Sequence, residues 1–401
     1  MTQIPAHSSY DVVIVGGAIY GSSVAWWLTR MPGFQGRVLV VERDPSYEFA
    51  STSHTNSCIR QQFTNETNIR ISQFGAEFIK GFRDFMGGDP QVPHLTLQSF
   101  GYMYLADTPA FAQSLKAAQA VQASLGASTR HMTPGEIAAD YPFYNLGDIV
   151  AANHNRVDEG YFDGGTMFDW FKRMARRGGV EYIANEVTGM TLNAARTAVE
   201  SVTLASSHEV SCGTVVNASG PRAVLTARMA GLDIPVEPRK RYTYIFDAKH
   251  PLDRDLPLTI DPSGVHMRTD GRYYMAGGPP DDDPPVDVDD FAADHGLWES
   301  KIWPAVATRI PQFEEIRLVN MWVGHYAYNT LDQNAIVGPD PQVGNFVFVN
   351  GFSGHGLQQS PAIGRGVAEL IAYGAYRSLD LGAFGVERVL TGKVFLEQAV
   401  I

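Results

Sequence analysis

The sequence predicts an α/β protein in which a discontinuous, largely parallel sheet is joined to a second α+β domain built on a mixed or antiparallel sheet. Three observations predict it. The first 42 residues spell strand, glycine turn, helix, strand, acid. Apolar runs of the same kind return at 215–218 (VVNA) and 345–350 (NFVFVN). Between these returns, 91–144 and 221–321 are rich in aromatics, prolines and alternating patterns such as RYTYIF at 241–246, which suit a second sheet layer.

Residues 10–15 (YDVVIV) form a short β-branched run ended by Gly16 and Gly17, the pattern of a parallel strand buried on both faces and meeting a tight turn. Residues 21–30 (GSSVAWWLTR) have helical composition and are stopped by Pro32 and Gly33. Residues 37–41 (RVLVV) make a second buried strand closing on Glu42. A right-handed crossover puts the two strands side by side, with the glycine turn and Glu42 at one carboxyl edge. Residues 180–184 add a further strand, and 345–350 lead through Gly351 into a helix over 357–373 with Pro361 near its first turn. The acidic run 281–290 (DDDPPVDVDD) has prolines and lacks a closing glutamate, so it reads as a solvated loop rather than a calcium loop.

Composition narrows the function classes. With 401 residues, 44% hydrophobic and 18% charged, the chain can bury a large core split over two or three domains. A formal charge of −12 without a compensating basic run excludes long-range attraction to nucleic acid or anionic lipid. Cys58 and Cys212 are too few for a disulfide framework or a zinc site, which fits a reducing compartment. The first nine residues carry no signal pattern and no apolar run of about 18 residues occurs, so the expectation is a cytoplasmic protein without a transmembrane segment.

The chemistry concentrates in two turns. In Gly16-Gly17-Ala18-Ile19-Tyr20-Gly21, Gly16 permits a sharp turn, Gly21 permits close helix–strand packing, and the helix start offers N–H groups to a pyrophosphate. Ala18 adds a methyl group where glycine is usual. Glu42, followed by Arg43, stands at the distance expected of an acid that hydrogen-bonds a ribose. The second turn is Gly351-Phe352-Ser353-Gly354-His355-Gly356, followed by Leu357. A second helix start there suits a flavin, because reduction places negative charge at N1 and C2=O of the ring.

The combination DVVIVGGAIYGSS, VVERD, VVNASGP and NGFSGHGLQQSPAIGRGVAEL resembles the D-amino acid oxidase and sarcosine oxidase superfamily of FAD-dependent oxidoreductases over nearly the whole chain. Through ASTSHTNSCIRQQF at 50–63 and YAYNTLDQNAIVG at 326–338 it most resembles the branch of mitochondrial FAD-dependent oxidoreductase domain-containing proteins. The resemblance implies a Rossmann-like FAD-binding domain over 1–90, 148–222 and 322–401, and a substrate-binding domain over 91–147 and 223–321. It also implies hydride transfer to flavin N5 from a carbon bearing an amine or a hydroxyl.

Residue by residue, the resemblance places Arg60 as the clamp on a substrate carboxylate, with a structural ion pair as its alternative. Gln358 stands where sarcosine oxidases have a second carboxylate-binding lysine. Ser51, Thr52 and His54 lie in a segment like the one through which dimethylglycine dehydrogenase-like members attach flavin; FAD is expected to be non-covalent, with a histidyl link through His54 as the alternative. The cysteine that bonds flavin in sarcosine oxidases has no counterpart near Tyr326, and their oxygen-activating lysine none in 273–278, so oxidase and dehydrogenase both stay open. His355, His266, His325 and Tyr326 are candidates for the flavin or substrate side, each with packing as its alternative. Asn217, Ala218 and Gly220 border FAD in the likeness, and Val187 contacts adenine through its backbone. The expected reaction is oxidation of a small, N-substituted or plain amino acid to an imine that water hydrolyses, with an unidentified electron acceptor. Oxidation of a 2-hydroxy acid, or an assembly protein retaining FAD, are the alternatives.

Overall fold

The first strand, Ser9–Val15, lies between two parallel neighbours, Val38–Glu42 and Glu209–Asn217. Glu181–Ala184 and Phe346–Asn350 extend the sheet on either side, again parallel, and Ile336–Pro339 closes one edge antiparallel. The structure, a computed structural model, describes residues 2–398. Side chains alternate across this sheet. Val12, Ile14, Val38 and Val40 enter one core, and Val13, Val15, Leu39, Val41 and Ile183 enter another. Because both faces are covered, the strands read as unbroken apolar runs.

Helices Ile19–Leu28, Glu66–Lys80, Gly164–Arg177 and Gly356–Tyr373 share the first core. The hairpin of Val187–Leu192 with Val199–Leu204, and the short helix Ala223–Met229, cover the second. The helix expected over 21–30 begins two residues sooner and ends at Leu28, and nine of its ten residues are buried. A Cβ on Gly21 would lie 1.9 Å from Gly16 O, so the glycine permits the helix to start against the turn. Pro361 lies within the long helix rather than in its first turn. The Leu357 carbonyl that Pro361 cannot bond takes Ser360 Oγ at 2.9 Å instead.

The second sheet has eight strands, in the order Ile316–Asn329, Val236–Ala248, Tyr273–Gly278, His266–Asp270, Leu258–Ile260, Tyr102–Ala106, Ala151–Asn155 and Arg130–Met132. It is mixed, with Leu258–Ile260 running parallel to Tyr102–Ala106 and the other neighbours antiparallel. The divisions read from the sequence at 148 and 322 are therefore displaced. Ala151–Asn155 pairs along its length with Tyr102–Ala106, and residues 322–329 complete a strand of 14 residues paired with Val236–Ala248. Ladder pairing over those lengths assigns both strands to the second sheet.

Candidate active site

A cavity of about 730 Å³ lies between the carboxyl edge of the first sheet and the strands of the second. Its lining takes in Gly16, Ala18, Ile19, Tyr20, Glu42, Arg43, Ser51, Thr52, His54, Val187, Ala218 and Gly220, together with Gly354, His355, Gly356, Leu357 and Gln358. Arg60, His266, His325 and Tyr326 line it as well. Three expected residues stand behind the wall. Gly21 serves helix packing, and Gly351 lies against Val236 and Asn329. Asn217 is buried and shapes its turn, donating to Ala223 O at 2.9 Å and accepting from Ser219 Oγ at 2.8 Å.

Gly16 has φ +96°, and a Cβ there would meet Ala218 O at 2.6 Å. Gly17 N–H donates to Glu42 Oε2 and Asp44 N–H to Glu42 Oε1, each at 2.8 Å. Burial raises the Glu42 pKa, and these two N–H bonds oppose the rise. A carboxylate oxygen accepts more than one hydrogen bond, so Glu42 retains acceptor capacity for ribose hydroxyls. Ile19 N–H is engaged by Thr52 Oγ1 at 3.3 Å, and Ser51 Oγ donates to His325 O at 2.6 Å, so the 51–52 turn ties the first glycine turn to the second sheet.

The helices beginning after Ala18 and His355 share one feature. Neither is capped by the side chain of its own N-cap residue and neither carries an acidic residue in its first turn, so both positive ends can receive an anionic ligand. Tyr20 joins the two turns by donating to Gly356 O at 2.7 Å and stacking on Phe352 at 3.8 Å. Gly354 has φ +94°, and a Cβ there would fall 2.5 Å from the Tyr326 ring. These two glycine cradles can take a dinucleotide along the sheet edge, one at its phosphates and one at its ring.

Arg60 is buried, with its guanidinium 4.4 Å from the centroid of Phe63 and 5.8 and 6.0 Å from those of Tyr102 and Tyr104. Burial works against its charge, but Tyr104, Tyr102, Glu397 and Glu159 outweigh it and raise the pKa. Gln358 lines the cavity, and its Oε1 accepts the Arg60 N–H at 2.8 Å, which ties it to the segment that carries Arg60. His355 is buried at the helix start, edge-on to Phe63 at 5.2 Å. His266 pairs with Asn56 Nδ2 at 2.9 Å, and burial, helped by Arg268 and Arg241, pushes it down to about 4. His325 pairs with Asp290 O at 2.8 Å and stacks on Phe291 at 4.1 Å. His54 is half-buried with Nδ1 at 3.2 Å from Ala50 O, and a Cβ on Gly324 would press against it at 2.7 Å.

The acidic run is not simply solvated. Asp289 bridges Arg43 and Arg222, Asp290 holds Lys240, and Asp283 holds Arg239 and grips Arg241 at 2.8 and 3.0 Å. Val288, Asp289 and Phe291 thereby line the cavity as a strap. Arg241, whose guanidinium lies 4.6 Å over Tyr326, is a lining residue that sequence reasoning missed. Its only sequence signal is an arginine among the alternating aromatics of RYTYIF. Among the described residues no group of His, Cys, Asp and Glu side chains could hold a metal ion, and no helix is long and apolar enough to cross a membrane.

Two glycine turns at one sheet edge, with a second sheet closing over them, define a flavin-dependent oxidoreductase. The chain belongs to the DAO family of FAD-dependent oxidoreductases, whose family model matches residues 11–370. It is 35% identical over 424 residues to FAD-dependent oxidoreductase domain-containing protein 1 of Xenopus laevis, covering 98% of this chain and 85% of that protein. Sarcosine oxidase subunit beta of Rhodobacter capsulatus is 21% identical over 412 residues, covering 98% and 91%. The solved structure of L-proline dehydrogenase from P. horikoshii superposes with a TM-score of 0.84 at 25% identity, covering 96% of this chain and 99% of that one.

Proposed function

We propose that this chain oxidises the C–N bond of a small, N-substituted amino acid to an imine, which water then hydrolyses. The carrying observation is Arg60, a guanidinium buried among Phe63, Tyr102 and Tyr104 in the same cavity as the helix start at His355. A planar fork in that setting suits a carboxylate, with the surrounding rings excluding water from the pair. The names of similar proteins, L-proline dehydrogenase and sarcosine oxidase subunit beta, favour small secondary amino acids.

In this reading Glu42 receives the ribose hydroxyls, the helix start after Ala18 faces the pyrophosphate, Val187 offers its backbone to adenine, and Gly354 to Leu357 border the ring. Bound FAD supplies the two-electron acceptor. Arg60 orients the substrate by its carboxylate, and Tyr326, opposite Gly354, forms part of the wall against which its carbon chain lies. In this reading FAD is held without a covalent bond, and His54 turns Nδ1 to Ala50 O at 3.2 Å. A second reading, oxidation of a 2-hydroxy acid, draws on His266, a neutral imidazole on the wall of the same cavity, though burial pushes its pKa down to about 4 and makes it a weak base.

Anaerobic mixing of the holoprotein with amino, N-methylamino and hydroxy acids, followed by bleaching of the flavin band, separates these readings. Bleaching by amines alone supports the first, bleaching by hydroxy acids alone the second, and silence across the panel removes both. Acid precipitation checks the linkage: yellow colour left in the supernatant is expected, and colour retained in the pellet contradicts non-covalent FAD.

A further inference from the structure

The segment that carries Arg60 is held by a carboxylate from the far end of the chain, 333 positions from Thr64. Glu397 is fully buried. Its Oε1 accepts from Thr64 N–H at 3.0 Å and Thr64 Oγ1 at 2.8 Å, and its Oε2 from Asn65 Nδ2 at 2.7 Å and Asn68 Nδ2 at 3.0 Å. These donors follow directly on Arg60 to Phe63, at the start of helix Glu66–Lys80, which Asn65 caps through Asn68 N–H at 2.9 Å.

The segment bearing Glu397 is itself fixed. Phe395 N–H reaches Asp332 Oδ2 and Glu397 N–H reaches Asp332 O, each at 3.1 Å, and Asp332 is gripped by Arg388 at 2.7 and 3.1 Å. Asn68 also accepts from Gln359 Nε2 at 2.9 Å, one residue after the Gln358 that receives the Arg60 N–H. Arg60 is thus anchored from two directions, through Gln358 on one side and through Phe63 and Thr64 on the other. Burying a carboxylate is costly unless donors replace its water, and here Thr64, Asn65 and Asn68 supply them. The Glu397 charge also supports the Arg60 cation, after the larger effects of Tyr104 and Tyr102.

We infer that Glu397 is a positioning residue for substrate binding: by fixing the turn at Thr64 it holds the Arg60 guanidinium over Phe63 in the orientation that receives a carboxylate. This rests on the reading of Arg60 as the clamp, and the test separates the two. Benzoate serves as probe, having a carboxylate for Arg60 and a ring for its aromatic neighbours; its dissociation constant is read from perturbation of the flavin band in the holoprotein. Four forms are compared: the native chain, Arg60→Leu, Glu397→Gln and the double variant. Arg60→Leu is expected to weaken benzoate at least tenfold. Glu397→Gln, which turns an amide donor toward Asn65 and Asn68, is expected to weaken it about tenfold with flavin content unchanged, and the double variant to bind no worse than Arg60→Leu.

Unchanged benzoate affinity in Glu397→Gln, beside a weakened Arg60→Leu, overturns the inference and leaves the clamp standing. A Glu397→Gln loss that adds in full to that of Arg60→Leu overturns it too, because a general structural defect behaves that way. No response in the native chain, or none to Arg60→Leu, removes the clamp and the inference with it. Should Glu397→Gln fail to yield holoprotein, the isosteric Thr64→Val, which deletes the hydroxyl donor to Glu397, is expected to weaken benzoate about threefold without adding to Arg60→Leu; unchanged affinity there overturns the inference.

Discussion

The backbone N–H of Arg60 donates to the side-chain carbonyl of Gln358 across 298 positions of sequence, at 2.8 Å in a buried setting. The bond joins the segment that carries Arg60 to the first turn of the long helix, beside Gly354 and Gly356. Replacing Gln358 with leucine leaves a buried N–H without its acceptor, at a cost of about 1–3 kcal/mol. The expected result is a lower unfolding midpoint together with a raised Michaelis constant for carboxylate substrates. An unchanged Michaelis constant would show that the bond does not align the clamp.

Glu42 satisfies two N–H groups, those of Gly17 and Asp44, at the mouth of the first turn. Glu42→Ala removes both acceptors and the partner assigned to the ribose. FAD affinity, measured by fluorescence quenching on rebinding to the apoprotein, should fall at least about tenfold, corresponding to roughly 1.4 kcal/mol. Equal affinity would take Glu42 out of the cofactor site.

Gly354→Ala tests the second cradle. The new methyl group would fall 2.5 Å from the Tyr326 ring on a residue with φ +94°. Strain and collision together should lower flavin content on purification, and Tyr326→Ala introduced beside it should restore part of that content by opening space. Full flavin content in Gly354→Ala alone would contradict the close approach.

The strap over the cavity should respond to salt. Asp289 joins Arg43 and Arg222, both on the wall of the nucleotide cavity, through solvent-accessible pairs that ions screen. FAD release, followed by dilution into excess apoprotein of a flavin-binding scavenger, should quicken with ionic strength, and Asp289→Asn should be fast already at low salt. Release independent of both would leave the strap without a part in retention.

Buried histidines set an acid limit on stability. Burial pushes His154 and His266 each down to about 4, whereas an unfolded histidine titrates near its ordinary value of about 6.5. The unfolded state therefore takes up protons first as pH falls, and this contribution is complete above about 6.5 and is lost progressively toward 4. It amounts to about 3 kcal/mol for each histidine. Glu159, pushed up to about 7 by burial, acts in the opposite sense, losing stability as pH rises from its ordinary range to about 7. The His154→Gln variant isolates the histidine effect: its loss of unfolding free energy between pH 7.5 and 5 should be smaller than the native chain's by about 2 kcal/mol. Equal losses would show that His154 is protonated in the fold.

Much of this architecture is local in origin and therefore readable from short stretches. Ser9–Val15, Val38–Glu42 and Phe346–Asn350 are doubly covered strands, and that environment writes itself as continuous Val, Ile and Phe followed by glycine. Arg60 was legible only through family likeness, since one arginine carries no pattern. What stayed hidden is long-range polar pairing. Asp283 answers Arg241, Asp289 answers Arg43 and Arg222, and Glu397 answers Thr64 and Asn68, none of which leaves a periodic trace. The passage of Ala151–Asn155 into the second sheet was hidden likewise, because AANHN lacks the β-branched run of the other strands and owes its pairing to Tyr102–Ala106.

The central claim is that a carboxylate on the substrate, held by Arg60, brings a C–N bond to the flavin. The direct measurement compares anaerobic flavin bleaching by proline and by pyrrolidine, which differ only in that carboxylate. Proline, or its N-methylglycine counterpart, is expected to bleach the flavin at a rate that Arg60→Leu abolishes, with pyrrolidine inert. Bleaching by pyrrolidine as fast as by proline, or bleaching unaffected by the loss of Arg60, would contradict it.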